Sequence, residues 1–330
     1  MKSILLIMPF FNGYEKEIKR VIESFGFKVK IVRDSSFLVN LLHIKFFSKR
    51  LYNFYMDKIW PFIFIQCAKG KYDYLFVIKG EELTPNICQK LYHYSNFHAS
   101  ILYLWDSIAN IPKAIKILPF FDYKFTFDYL DYNSDLYDID FLPLFYSTKF
   151  EYKKEYILTN NIDYDFSFIG SFKQERADIL LALTELCNKK GYSYYFKLYL
   201  PWNEYLRKIF TSPGFYKKYN NLIIIKKFSL LKVADIVKKS RVIVDVPDKM
   251  QSGLTMRTFE ALGARKKLFT TNHQILKYHF YNENNITIDI NKINENFVFT
   301  DFEEIKEAGT IRDIYSWIGY LLSKLTDNKK

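Results

Sequence analysis

The residue types best suited to chemistry cluster between Ser252 and Asn272 (SGLTMRTFEALGARKKLFTTN), where a glycine-containing turn, a helix carrying Arg257 and Glu260, and a buried-looking strand follow one another. Just upstream, Arg241 to Val246 (RVIVDV) is a β-branched run of the kind found in parallel strands buried on both faces, so the local order is strand, loop, helix, strand. In such a unit the loop at the carboxyl end of the strand and the first turn of the helix aim backbone N–H groups at one crevice, which suits a diphosphate. Ser252, Gly253, Leu254 and Thr255 form that loop, and Arg257 follows it on the helix. Glu260, read as two turns into the helix, could accept hydrogen bonds from ribose hydroxyls. Its alternative role is that of a solvated helix residue in an ordinary βαβ unit.

Carboxylates at other strand ends are candidates for proton transfer. Asp106, in WDSIAN after the apolar run ILYLW, could take a proton from an acceptor hydroxyl if desolvation raised its pKa, although Asp-Ser after a strand is also common turn chemistry. Asp128 and Asp131, in FTFDYLDY, are rivals at the end of the next strand. Gly170 and Ser171 in FIGSF read as a turn opening a helix, with Arg176 near that helix's start, and Gly13 occupies the corresponding turn near the N-terminus, on the acceptor side. The five histidines form no H-x-x-x-H or H-E-x-x-H pattern. Asp138 and Asp140 precede the apolar run FLPLF, read as a strand, whereas a metal-binding Asp-x-Asp follows one, so no obligatory metal or other cofactor is expected.

The Ser252–Glu260 segment resembles the donor-binding motif of GT-B glycosyltransferases, particularly bacterial enzymes that build lipopolysaccharide and capsule. The resemblance implies that the loop holds the phosphates of a nucleotide-sugar donor, with Arg257 as a further phosphate contact, that Glu260 holds the ribose, and that Gly170 and Ser171 face the diphosphate. Retaining members often carry a second glutamate eight residues before the ribose glutamate; here that position is Ser252, so the stereochemical outcome does not carry over. The resemblance also implies two Rossmann-like domains facing each other across a cleft, with the last helix commonly packing back across the first domain.

The elements needed to position these residues can be read along the chain. Strands at Ile4–Met8, Val29–Val32, Tyr74–Ile78, Ile101–Trp105 and Tyr123–Phe127 alternate with helices at Tyr14–Ser24 and after Thr84-Pro85, which supply an N-cap and an N1 proline. The pattern starts afresh with a strand at Phe166–Ile169, a helix at Gln174–Lys189, strands at Tyr194–Leu198 and Leu222–Ile225, and a helix at Val233–Lys239. Alternation of this kind predicts α/β architecture with parallel sheets. With 330 residues, two domains are expected: an acceptor-side domain over residues 1–155 and a nucleotide-sugar-binding domain over 156–330. Helix Asp313–Leu325 has an apolar face at Ile314, Trp317, Ile318, Leu321 and Leu325, suited to burial against its own domain or the first.

Composition limits the alternatives. Hydrophobic residues at 49% and charged residues at 25% are ordinary for a globular protein. MKSILLIMPFFNG reads as a first strand, not a signal peptide, and no window reaches the ~18 uninterrupted apolar residues of a spanning helix, so a cytoplasmic location is expected. Three scattered cysteines offer no disulfide framework or metal pair. The net charge of +12 raises nucleic acid or an anionic membrane as partners, but lysine excess over arginine together with abundant Asn, Ile, Phe and Tyr points to an AT-rich bacterial genome. No helix-turn-helix, finger or aromatic RNA motif supports nucleic-acid binding. Leu41–Trp60, which mixes Leu, Phe and Tyr with Lys45, Lys49, Arg50 and Lys58, could lie on the inner membrane face beside a lipid-linked acceptor, or form a packed helix hairpin. The expectation is a glycosyltransferase extending a bacterial surface glycan; an epimerase acting on a nucleotide sugar is the alternative enzyme.

Overall fold

The computed structural model describes residues 1–36, 49–153, 162–248, 251–305, 309 and 311–327. The chain divides into two compact units: unit 1 comprises Met1–Pro143, Met250–Gly253 and Ile314–Lys330, and unit 2 comprises Leu144–Lys249 and Leu254–Asp313.

Unit 1 is built on a six-stranded parallel sheet, β1 (Ser3–Met8), β2 (Lys28–Arg33), β3 (Tyr74–Ile78), β4 (Ala99–Leu104), β5 (Tyr123–Thr126) and β6 (Asp140–Phe141), in the order β2-β1-β3-β4-β5-β6. Strands β1 and β3 are apolar almost throughout because helices cover both faces, leaving Ile4 to Met8 and Tyr74 to Ile78 buried. Helix α1 (Tyr14–Ser24) follows β1. A continuous helical stretch then runs from α2 (Lys49–Phe54) through a π-helical turn (Tyr55–Ile59) into α3 (Trp60–Ala68). Residues 41–48 of the segment read as a possible membrane contact lie outside the described residues. Thr84 caps α4 (Pro85–Tyr94) by accepting a bond from the Ile87 amide at 3.3 Å, and a short helix α5 (Tyr129–Tyr132) follows β5.

The run FLPLF, expected as one strand, is two. β6 ends at Phe141 and pairs with β5, whereas β7 (Phe145–Tyr146) belongs to unit 2 and pairs with β14 (Arg312–Asp313). Pro143 lacks the N–H a ladder needs and breaks the run.

Unit 2 has its own six-stranded parallel sheet: β8 (Tyr164–Ser171), β9 (Tyr194–Tyr199), β10 (Ile223–Ile224), β11 (Ser240–Asp245), β12 (Lys267–Thr270) and β13 (Ile286–Thr287), ordered β10-β9-β8-β11-β12-β13. Its helices are α6 (Gln174–Lys190), α7 (Trp202–Thr211), α8 (Phe215–Tyr219), α9 (Leu230–Lys238), α10 (Met256–Gly263) and α11 (Glu295–Phe299). One core packs Leu180, Leu183 and Cys187 of α6 onto Phe166, Phe196 and Val242.

The last helix, α12 (Ile314–Thr326), packs within unit 1. Trp317 is fully buried, with its ring edge-on to Tyr103 at 4.7 Å between centroids and 6.4 Å from Phe76. No described helix is long and apolar enough to cross a membrane.

Candidate functional site

In unit 2 the chain runs from β8 outward to β9 and β10, then returns to place β11 on the other side of β8 and continues outward to β12 and β13. The loops after β8 and β11 therefore depart in opposite directions. Such a topological switch point leaves a crevice at the carboxyl ends of the strands, and most of the candidate residues converge there.

Arg257, in the first turn of α10, donates from one guanidinium nitrogen to Glu260 Oε2 at 2.7 Å and from the other to the Ile169 carbonyl of β8 at 2.8 Å. Glu260 is buried, and lies just past the first turn of α10 rather than two turns in. It is thus a fixed partner of Arg257 and not a solvated helix residue. Arg176, from the first turn of α6, ties the same two strand ends together, donating to the Val246 carbonyl at 2.8 Å and the Ser171 carbonyl at 2.7 Å. Arg176 is anchored by neutral carbonyls alone and Arg257 by one carbonyl and one carboxylate, a set of planar donors of the kind that suits an anion.

Beneath them lies Asp245, the last residue of β11. Its two carboxylate oxygens accept from Thr255 Oγ1 at 3.0 Å and Thr258 Oγ1 at 2.9 Å. Burial pushes this carboxyl's pKa up, opposed by those hydroxyls and by Arg257 and Arg176. Burial in turn pulls the Arg176 pKa down, Asp245 opposing this and Arg257 reinforcing it. Thr255 also caps α10, accepting from the Arg257 amide at 3.0 Å, and Leu254 is buried. Gly170 and Ser171 are not a turn: β8 runs through both, pairing them with Leu198 and Tyr199 of β9. Gly170 is glycine because a Cβ there would meet the Phe168 ring at 2.7 Å, and Arg176 sits 5.7 Å from the centroid of that ring.

The other half of the loop is engaged within unit 1. The Ser252 and Gly253 amides donate to Asp128 Oδ2 at 3.0 and 3.1 Å, the Ser252 hydroxyl bonds Oδ1, and Oδ1 also accepts from the Leu130 amide at 2.9 Å. Asp128, buried at the end of β5, is therefore the anchor of residues 252–253 in this structure, and these amides point at a carboxylate. A Cβ on Gly253 would lie 2.8 Å from the Phe127 carbonyl oxygen, so only glycine fits this approach.

At the carboxyl edge of the unit 1 sheet, Asp106 Oδ1 accepts from the Ser107 amide at 3.0 Å and the Asn110 side chain at 2.8 Å, while Oδ2 lies 3.5 Å from Lys79 Nζ. Asp106 thus performs turn chemistry and keeps one oxygen toward an ammonium. Lys79 also pairs with Glu81 at 2.7 Å and has a left-handed backbone, φ 73°, uncommon for a residue with a side chain. Two further carboxyls are buried there. Burial pushes Asp34, just past β2, up to about 7 against the pull of Lys79, and burial pushes Asp131 up to about 6 against the Ile108 amide that donates to it at 2.8 Å. Gly13 has φ 90° and caps α1, with no heavy atom within 4 Å of where a Cβ would stand.

Sequence reasoning passed over Asp34, Lys79 and Asp245. Asp245 had a usable signal, a lone carboxylate closing the apolar run RVIVD; the left-handed lysine had none. Among the described residues no three His, Cys, Asp or Glu side chains group to hold a metal.

No family model and no curated protein matches the chain. Its fold is nevertheless similar to solved structures over nearly its whole length: HepE of Anabaena in complex with UDP and glucose (TM-score 0.57, 8% identity, covering 99% of this chain and 100% of that one), a glycosyltransferase from Rickettsia africae ESF-5 (0.55, 12%, 99% of both chains), and the UDP-GlcNAc 2-epimerase of Methanocaldococcus jannaschii (0.51, 11%, 98% and 99%). At such identities the likeness shows the fold: α/β with two Rossmann-like parallel sheets of the GT-B type.

Proposed function

We propose that this chain is a glycosyltransferase that moves a sugar from a nucleotide-sugar donor to a growing bacterial surface glycan such as lipopolysaccharide, O-antigen or capsule. The observation that carries this reading is the pairing of Arg257 with buried Glu260 at the β8/β11 switch point, with Arg176 on the same two strand ends. Two guanidiniums suit the donor diphosphate and stabilise the charge that grows on it as the glycosidic C–O bond breaks. A carboxylate has about four lone-pair positions, so Glu260 can accept ribose hydroxyls while Arg257 holds Oε2. With the leaving charge met by arginines, the proposed chemistry requires no metal.

Asp106 is the proposed base for the acceptor hydroxyl, and its Oδ2 is the oxygen that would take the proton. The acceptor is a glycan or lipid-linked sugar. Exposed Leu51, Phe54 and Phe62 beside Lys49, Arg50 and Lys58 support peripheral contact with the inner membrane face from the cytoplasm.

A second reading, an epimerase acting on a nucleotide sugar, is favoured by the similarity to the archaeal 2-epimerase. One experiment separates the two. Incubation with UDP-, GDP-, CMP- and dTDP-sugars, following both thermal shift and product, should show stabilisation by one donor and turnover only when an acceptor is added. Conversion of the donor alone into its epimer would favour the second reading, and no shift with any nucleotide at millimolar concentration would remove both. Affinity for random DNA that falls steeply with salt would point instead to nucleic acid.

A further inference from the structure

The amino-terminal edge of the unit 2 sheet, opposite the switch point, carries a second site. There the end of α9, the start of β11 and the entry to β12 surround a cavity of about 570 Å³, within the range of small-molecule sites. Among the described residues its wall bears Lys153, Lys238, Arg241, Arg265, Lys266 and Lys267 beside the carboxylates Glu151 and Asp301. Arg241 has Asp165 at 3.2 Å, and Arg265 has Glu304 at 3.0 Å. Of the four lysines, Lys238 is opposed by Asp235 and Glu151, and Lys267 by Glu303 and Asp301. The C-terminal ends of α9 and α10 add roughly half a negative charge each, and the described wall itself stays richer in cations than in carboxylates.

Lys266 shows the imbalance most directly. It is largely buried, forms no ion pair among the described residues, and has a guanidinium, Arg241, as its charged neighbour; burial first and that neighbour second push its pKa down to about 8. Lys238 is lowered by burial and by Lys153 against the pull of Asp235 and Glu151, and Lys267 by burial against the pull of Glu303 and Asp301. The Lys267 ammonium is satisfied by a neutral hydroxyl, Thr300. The two arginines are held over aromatic faces, Arg265 at 4.5 Å from the Tyr152 centroid and Arg241 at 5.0 Å from that of Phe299, which limits their freedom to fold away from the cavity. A partly buried cluster of like charge is costly when empty and is relieved by a multivalent anion.

We propose that this cavity binds a phosphate-bearing ligand, either a soluble phosphate ester or the phosphate of a lipid headgroup, independently of the switch-point site. Calorimetric titration of the full chain with inorganic pyrophosphate tests it. Lys266→Gln should weaken binding at least tenfold, and Lys153→Glu, a charge reversal at an exposed position that leaves the fold intact, should weaken it several-fold. Both variants should keep the nucleotide response of the wild type. Pyrophosphate affinity equal in all three proteins, or no binding at millimolar concentration, would overturn the proposal. Flotation with phosphatidylglycerol vesicles identifies the source: co-flotation abolished by Lys153→Glu assigns a lipid headgroup, and pyrophosphate binding without co-flotation assigns a soluble ester.

Discussion

The two six-stranded sheets share parallel pairing but differ in strand order and in what their carboxyl edges present. The first, ordered β2-β1-β3-β4-β5-β6, gathers carboxyls there: Asp34, Asp106 and Glu81 beside the Lys79 ammonium, and Asp128 and Asp131 next to one another. The second, ordered β10-β9-β8-β11-β12-β13, gathers two guanidiniums, each anchored to strand-end carbonyls, above one buried aspartate. One architecture therefore offers two chemistries. Desolvation acts on both edges, raising the pKa values of Asp34 and Asp131 on the first and lowering that of Arg176 on the second, so each edge is primed for a ligand of opposite need.

The largest effect expected from breaking this contrast is on the carboxylate-rich edge. Asp106→Asn keeps the side-chain shape and its acceptor oxygen but removes the proposed base, so sugar transfer should fall by roughly 10²- to 10⁴-fold with donor affinity retained. Unchanged turnover in a steady-state assay would return Asp106 to turn chemistry alone.

On the arginine-rich edge, Glu260→Ala should cost about 1.5 to 3 kcal/mol in donor affinity, roughly tenfold to more than a hundredfold. Calorimetry against the intact nucleotide and its 2′,3′-dideoxy analogue reads this directly, because only the wild type should discriminate between them. Equal discrimination by both proteins would mean that Glu260 merely orients Arg257.

A smaller effect is expected at Gly253. An alanine Cβ meets the Phe127 backbone oxygen, which cannot swing aside, so Gly253→Ala should lower unfolding stability by about 1 to 3 kcal/mol. A denaturant midpoint unchanged from wild type would show that the Asp128 anchor is loose.

The smallest effect at any one pH concerns Asp34. Its carboxyl is held up to about 7 when folded, against an ordinary value of 3.8, so the folded state binds the extra proton between these limits. The stability that Asp34 contributes should be fully present below about 4, decline as pH rises toward 7 by at most about 1.4 kcal/mol per pH unit, and level off above. Asp34→Asn should flatten that window in urea titrations at several pH values. The same slope in both proteins would assign the proton to another group.

How much of this was legible beforehand differs between elements and contacts. Tyr14–Ser24 and Tyr74–Ile78 were bounded correctly from periodicity and apolar runs, because amphipathic spacing and a strand buried on both faces are local signatures. Gly170 was misread, since glycine at the end of an apolar run suggests a turn, and only the Phe168 ring packed over it explains a strand there. FLPLF was read by its hydrophobicity when Pro143 was the stronger signal.

What the sequence determined by itself was the α/β class, the restart of alternation in the second half, and the grouping of Arg257 and Glu260 on one helix, all consequences of short-range pattern. Tertiary structure alone decided where the long-range partners fall. Arg257 reaches the Ile169 carbonyl and Arg176 the Val246 carbonyl because β8 and β11, far apart in sequence, are adjacent in the sheet. Asp128 takes the Ser252 and Gly253 amides across 124 and 125 residues. A buried amide or guanidinium must find an acceptor somewhere, but which acceptor is set by strand order, and strand order is fixed by how the whole sheet buries its apolar faces.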